Sequence, residues 1–424
     1  MKIAIIGTGI AGNVAAYNLR KEHDITVFEA AGYVGGHTNT VDVYENGRQF
    51  AVDTGFIVFN DRTYPNFVRL LKEIGQQSQP SEMSFSVQAE EGALEYSGSS
   101  LNALFAQRRN ILKPPFYRMI KDILRFNEAT MRNSASLNEY GNLGEYLFAN
   151  GYSSEFIDNY LVPMAAAIWS AEPASILKMP VRFLVRFFAN HGLLQLRDRP
   201  IWCVIKGGSR EYVKKLVAGH ADRIRLNSAV KSVRRFDDGI ELYSATGGRE
   251  RFDFVFIACH SNQALSMLDD PTPNERDVLG AIRYQSNEAI LHTDDSLMPS
   301  RRRAWAAWNY HLPKDHTRHV AVTYNMNILQ DLDAEKQYLV TLNNDERIDP
   351  RKVIRRVEYE HPIYSRNAVA AQQRQAALNI DRTFYCGAYW RNGFHEDGVV
   401  SALDAVQHFE QRLLDEQLYL RRAS

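Results

Sequence analysis

The chain has 424 residues, more than one simple hydrophobic core accommodates, so two domains are expected. It is 45% hydrophobic and 24% charged, an ordinary soluble globular composition, and its 50 basic residues are balanced by 50 acidic ones, which argues against a nucleic-acid partner. Cys203, Cys259 and Cys386 are far apart, forming neither a disulfide framework nor a metal cluster. Each reads as a small core residue of a cytoplasmic protein.

Lys2 to Ile6 reads as a short buried strand. Its apolar run breaks at once on glycines, so it is no secretory leader, and no stretch elsewhere is long enough to span a bilayer. Gly7-Thr8-Gly9-Ile10-Ala11-Gly12 follows, then a helical pattern with Val14, Ala15, Ala16 and Leu19, then a second strand, Ile25 to Phe28, ending at Glu29. This is the Rossmann order of strand, glycine turn, helix, strand and acid. Gly7 allows the tight turn, Gly9 lets a pyrophosphate approach bare backbone, and Gly12 lets the helix lie close on the strand. The free N–H groups of the helix start, around Ile10 and Ala11, favour the phosphates. Glu29 can hold both ribose hydroxyls, and its charge would repel a 2′-phosphate.

This fingerprint does not separate FAD from NAD. The next loop does. Ala30, Gly35, Gly36, His37 and Thr38 lie in a second glycine-rich stretch where an NAD domain would run on into a helix. A second glycine pair sets more bare backbone against a ligand, as a longer dinucleotide requires. Asp53-Thr54-Gly55-Phe56 offers a further close approach.

Residues 61 to 75 read as a helix, followed by strands at Met83 to Val87 and Leu94 to Tyr96. Residues 100 to 200 are mostly helical in pattern. Within them, 101 to 126 mix bulky apolar residues with Arg108, Arg109, Lys113, Arg118, Lys121 and Arg125 against Asp122 alone. Such a segment is either a solvated helix face or a peripheral contact with an anionic membrane. Tyr160 to Trp169 is strongly apolar, either a buried helix or the wall of a cavity. Gly207-Gly208-Ser209 opens another helix, and strands follow at Ile224 to Leu226, Val230 to Phe236, Ile240 to Tyr243 and Phe254 to Ala258. Residues 285 to 345 read as a sheet. Trp305, Trp308 and Tyr310 read as sheet packing, and the histidines lack metal-ligand spacing. Thr383 to Cys386 is a strand ending at Gly387. His395-Glu396-Asp397-Gly398 leads into an apolar helix from Val399.

The two glycine motifs and this C-terminal strand, turn, acid-glycine and helix resemble the superfamily of flavin-containing amine oxidases, phytoene desaturases and protoporphyrinogen oxidases. In that superfamily the second motif usually reads Arg-x-Gly-Gly-Arg. Here Tyr33 and His37 stand at the arginine positions. Asp53 to Asn60, Leu291-His292-Thr293-Asp294 and Ala304 to Tyr310 are similar to a bacterial subgroup associated with cyclopropane-fatty-acid-synthase-like methyltransferases. The resemblance implies a Rossmann-type, glutathione-reductase-like FAD domain (residues 1–75, 203–270 and 375–424) and a discontinuous α+β substrate domain (76–202 and 271–374). It implies that Val230 and Ala258 lie near the adenine. It also implies that Gly387, Gly398 and Val399 lie at the flavin, the helix N-terminus favouring the charge that a reduced flavin gathers. His395 is the candidate proton acceptor.

The expected function is FAD-dependent removal of hydride from an apolar lipid or fatty-acyl substrate. One alternative is an amine oxidase, disfavoured because Ser286 to Leu291 lacks the lysine that many such enzymes carry there. The other is a non-catalytic FAD-bound partner of a lipid methyltransferase. The substrate, electron acceptor and oligomeric state are not legible in the sequence.

Overall fold

A computed structural model describes residues 1–132, 136–195, 198–312 and 321–423. Its first layer is a five-stranded parallel sheet. The strands run in the order Ile224–Arg225, Asp24–Phe28, Lys2–Ile6, Phe254–Ile257 and Thr383–Tyr385. A parallel sheet is covered on both faces, so its strands are apolar throughout. Successive side chains then serve opposite sides. Ile3, Ile5, Phe254 and Phe256 pack with the helices Ile10–Leu19, Arg210–Val217 and His395–Ala423. Ala4, Ile6, Val255 and Ile257 pack against the antiparallel meander Val230–Phe236, Gly239–Ser244 and Gly248–Phe252. Val278, Leu279, Ala368 and Ala371 of the helices Pro273–Gly280 and Arg366–Gln372 join that second side.

The second layer is a seven-stranded mixed sheet in the order Val353–Ile363, Arg283–His292, Leu339–Leu342, Ala321–Asn325, Trp308–Leu312, Phe85–Ala89 and Glu95–Ser97. Trp308–Leu312 pairs parallel with Phe85–Ala89, and the other pairings are antiparallel. The helical segment from Leu101 to Asn190 packs on this sheet in a single large core rich in aromatics. Trp308 meets Tyr324 edge to face at 5.0 Å, as sheet packing requires.

The layers are joined by chain that crosses between them. The hairpin Thr40–Glu45/Arg48–Asp53 and the small sheet of Val58–Asn60, Trp202–Ile205 and Ser78–Pro80 lie at this junction. Asp53 anchors it. Its buried carboxylate accepts from the Ser209 N–H (2.8 Å), the Ser209 hydroxyl (2.8 Å) and the Thr40 hydroxyl (2.6 Å), and the Gln330 amide donates to it from the second layer (3.1 Å). Among the described residues no helix is long and apolar enough to cross a membrane.

Candidate functional site

The glycine turn is built as its residues require. Gly7 has φ +101°, and a Cβ on Gly12 would stand 1.9 Å from the Gly7 carbonyl oxygen, so only glycine lets the helix Ile10–Leu19 sit this close to the strand. At Gly9 a Cβ would meet nothing within 4 Å, because the turn opens into a cavity there. The second loop folds against the first. Gly35 and Gly36 have φ +137° and +58°, and a Cβ on Gly36 would come within 3.1 Å of Gly9 Cα. Thr8 ties the pieces together. Its N–H and hydroxyl donate to one oxygen of Glu29 (2.8 and 2.5 Å), its hydroxyl receives the Gly35 N–H (3.3 Å), and the other Glu29 oxygen receives the Ala31 N–H (2.8 Å).

A continuous cavity of about 1650 Å³ begins at this turn. One ligand pocket typically occupies about 300–1,000 Å³, so this one has room for a dinucleotide and a second molecule. Its wall includes Gly7, Gly9, Ile10, Ala11, Glu29, Ala30, Gly35, Gly36, His37, Gly55, Phe56, Val230, Ala258, Gly387 and His395. The structure therefore brings together residues from six separated parts of the sequence.

Four residues expected at the cofactor do not line the cavity. Gly12 serves helix packing, as its turn position demands. Thr38 is buried and its hydroxyl meets the Tyr212 hydroxyl (2.7 Å). Val399 belongs to the core behind the helix. Gly398 lies against the first helix. A Cβ there would lie 2.5 Å from Ile10 Cγ2 and 3.7 Å from Ala11 N, so the glycine is needed for packing on the first helix. The last helix also starts earlier than the apolar pattern indicates, at His395. The Asp397 carboxylate accepts the Phe394 N–H (2.9 Å) and caps it. Its free N–H groups thus belong to the turn beginning at His395, which is on the wall. Cysteine placement differs as well: Cys386 is buried, but Cys203 and Cys259 are partly exposed, and Cys259 lines the cavity.

His395 stacks flat on Phe56 (ring centroids 3.4 Å apart, 12°), and its Nε2 meets the Tyr212 hydroxyl at 2.9 Å and Thr38 Oγ1 at 3.1 Å. Burial lowers its pKa to about 3, so the ring is neutral. These contacts brace the ring between the second loop and the helix Arg210–Val217.

Three other histidines gather where the related motif would carry arginine. His37 stacks on Tyr359 (4.8 Å), with the His361 and His260 rings 5.4 and 6.0 Å away. His260 Nδ1 lies 3.1 Å from the Glu360 carboxylate, and its ring stacks on Tyr284 at 4.5 Å. Burial and the neighbouring imidazoles hold His37 well below the usual histidine range. Among the described residues no group of three or more His, Cys, Asp or Glu is arranged to hold a metal.

Sequence reading passed over His260 and His361. A signal existed for His260, which follows a parallel strand at the carboxyl edge where such sheets bind ligands. None existed for His361. Its tautomer is fixed from a distance. The Glu288 N–H donates to Asn343 Oδ1 (2.9 Å), which turns the Asn343 amide N–H toward Asn287 Oδ1 (2.7 Å). The Asn287 N–H then donates to His361 Nδ1 (2.9 Å), leaving the proton on Nε2. Burial and the nearby His260 lower the His361 pKa to about 4.

The apolar half of the cavity is formed by Tyr160, Met164, Ile168 and Trp169 with Phe187 and Phe394, the last two stacked at 5.0 Å. Both readings of the 160–169 stretch hold at once. Leu161, Val162, Ala165 and Ala166 face the core, and the alternate face lines the cavity. A π-helical turn, Ile157–Leu161, leads into the helix Val162–Trp169, a distortion frequent at functional sites.

The residues present fit FAD: an open glycine turn, a second bare-backbone loop and a ribose acid share one wall. The sequence profile of the family described as flavin containing amine oxidoreductase matches residues 10–408. A Mycobacterium tuberculosis protein named as a flavin-containing monoamine oxidase, AofH, is 26% identical over 64% of this chain, which spans 60% of that relative's length. Among solved structures, putrescine oxidase bound to putrescine (14% identity, TM-score 0.66, 97% and 99% of the two chains) shares the fold. So do cyclohexylamine oxidase from Brevibacterium oxydans (15%, 0.67, 97% and 99%) and a CLA-producing fatty acid isomerase from P. acnes (16%, 0.65, 96% and 98%). With the glycine turn, the second loop and the closing helix all on one cavity, the chain belongs to the flavin-containing amine oxidoreductase family, and FAD is its cofactor.

Proposed function

We propose that this FAD-dependent oxidoreductase removes hydride from an apolar substrate, a lipid or fatty-acyl chain, introducing a double bond. The observation that carries this reading is the apolar arm of the cavity, continuous with the nucleotide-binding turn and lined by Tyr160, Met164, Ile168, Trp169, Phe187 and Phe394. That a fatty acid isomerase shares the fold supports the scaffold's capacity for an acyl chain. FAD, when bound, supplies the hydride acceptor.

The chain's own residues position and exclude. The aromatic and aliphatic walls shed water and align an extended hydrocarbon. The segment in which many amine oxidases carry a lysine holds Asn287 instead, fully buried and committed to His361. His361, neutral with its proton on Nε2 and its Nδ1 engaged by Asn287, is the group we assign to donating a hydrogen bond at the cavity wall, and the proton released as the double bond forms passes to water. His395, the initial candidate, we assign to bracing the ring of Phe56.

The test is anaerobic mixing of FAD-loaded protein with monounsaturated acyl lipids and, separately, with small amines. Bleaching of the oxidised flavin by the lipids, with product two hydrogens lighter, is expected. Bleaching by amines alone would overturn the reading. Asn287→Asp should leave FAD bound and raise the His361 pKa from about 4, moving the acid limb of flavin reduction to higher pH. An unmoved profile would remove His361 from the assignment.

A further inference from the structure

We propose that the segment 101–131 is a docking face for an anionic lipid bilayer, and that the apolar arm of the cavity opens beside it. The segment is two helices, Leu101–Leu104 and Pro114–Arg132, joined by a 3-10 turn at Arg108–Leu112. Its apolar residues divide. Phe116, Met119 and Phe126 face the core, but Leu101 and Leu112 are 78% and 85% exposed. Tyr117, Leu124 and Met131, also exposed, recur every seven residues, which puts them along one side of the longer helix. The Tyr117 hydroxyl donates to the Ile111 carbonyl (2.9 Å), holding the exposed turn against that side.

The surrounding charge is positive. Arg118 pairs with Glu155, Arg125 with the buried Asp122 at 3.1 Å, and Arg132 with the exposed Glu128 at 2.8 Å, so the one exposed carboxylate of the long helix is neutralised by its own arginine. Arg109 donates to the Gly92 and Ala93 carbonyls, and Arg108 to Phe105 and Asn102. Arg108, Arg109, Lys113 and Lys121 meet no carboxylate within ion-pair distance among the described residues. Bulky apolar side chains inside a ring of uncompensated cations complement an acidic leaflet, in which the former enter the acyl boundary and the latter meet headgroups.

The cavity reaches the same face. Leu104, Ile120, Ile123 and Leu124 line it, and Leu124 is at once 49% exposed. Ile201, another lining residue, is 61% exposed. Leu124 thus belongs both to the cavity wall and to the exposed side of the long helix. Transfer of a lipid along this route rests on the function proposed above, whereas docking rests on the surface alone.

The experiment is co-sedimentation of the full-length, FAD-loaded protein with vesicles of phosphatidylcholine, with and without phosphatidylglycerol. Binding should require the anionic lipid and weaken as salt rises from about 0.05 to about 0.5 M. Joint Lys113→Glu and Lys121→Glu should weaken it by at least about tenfold, and Leu112→Glu should do so independently, with flavin content unchanged in both. Equal sedimentation with both vesicle types, or variants that bind like the parent, would overturn the proposal. Loss of a dimer in Leu112→Glu without loss of vesicle binding would assign the face to self-association instead. No turnover is measured, so failure of the proposed reaction leaves this result intact, and the reverse.

Discussion

Gly9 and Gly12 are three residues apart in one turn, yet a side chain would meet different surroundings at each. At Gly9 there is only the cavity, so Gly9→Val should fold with an unchanged apoprotein melting temperature and lose FAD. At Gly12 a Cβ would stand 1.9 Å from a backbone oxygen that cannot move without the strand. Gly12→Ala should therefore destabilise the apoprotein itself, by about 1–3 kcal/mol or more, as overpacking does. Thermal melts of the two flavin-free proteins with flavin absorbance of each as purified separate the cases, and equal melts would contradict the geometry. Both glycines were legible in the sequence because their need is local. The tautomer of His361 was not, since it passes through Asn287 and Asn343, which only the sheet register brings side by side.

The last helix shows how elements that read clearly one at a time depend on contacts that no local pattern encodes. Glu396, in its first turn, reaches the helix Pro65–Glu73. One carboxylate oxygen accepts the Asn66 N–H (3.0 Å) and its side-chain amide (2.6 Å), and the other accepts the Phe67 N–H (2.8 Å). A helix beginning on proline has no side-chain cap of its own here, and the negative charge satisfies its orphan donors. Glu396→Ala leaves those donors buried and should cost about 2–3 kcal/mol, with Glu396→Gln costing less. Chemical denaturation of both variants checks the order, and an Ala variant as stable as the parent would refute the capping role. The parallel sheet was legible strand by strand from its short apolar runs, as was the helix after Gly207-Gly208. The seven-stranded order was not, because Phe85–Ala89 pairs with Trp308–Leu312 more than two hundred residues later. Apolar periodicity begins only at Val399, whereas the helix starts at His395, where the Asp397 carboxylate accepts the preceding Phe394 N–H.

Across the whole molecule, buried titratable groups set how stability responds to pH. Burial lowers His191, His220, His292 and His361 to about 4, and His311 and His395 to about 3. Each stays neutral in the folded apoprotein while its unfolded counterpart takes a proton near pH 6.5, so each favours unfolding as pH falls from 6.5 to its folded value. Asp53 and Asp397 act oppositely. Burial raises them to about 6 and about 7, so the folded chain holds their protons first and gains stability as pH falls toward 4. Six histidines outweigh two aspartates over the shared window, and an unmatched proton changes stability by about 1.4 kcal/mol per pH unit. The apoprotein melting temperature should therefore fall steadily between pH 6.5 and 4.5. His220 isolates one contribution: it is fully buried, and neither ring nitrogen meets a hydrogen-bond partner within the protein. His220→Leu removes both the unpaired nitrogens and the proton that the unfolded chain would take up. Its melting temperature should exceed the parent's by more at pH 5 than at pH 8, and an equal gap at the two pH values would show that this imidazole is charged in the folded protein.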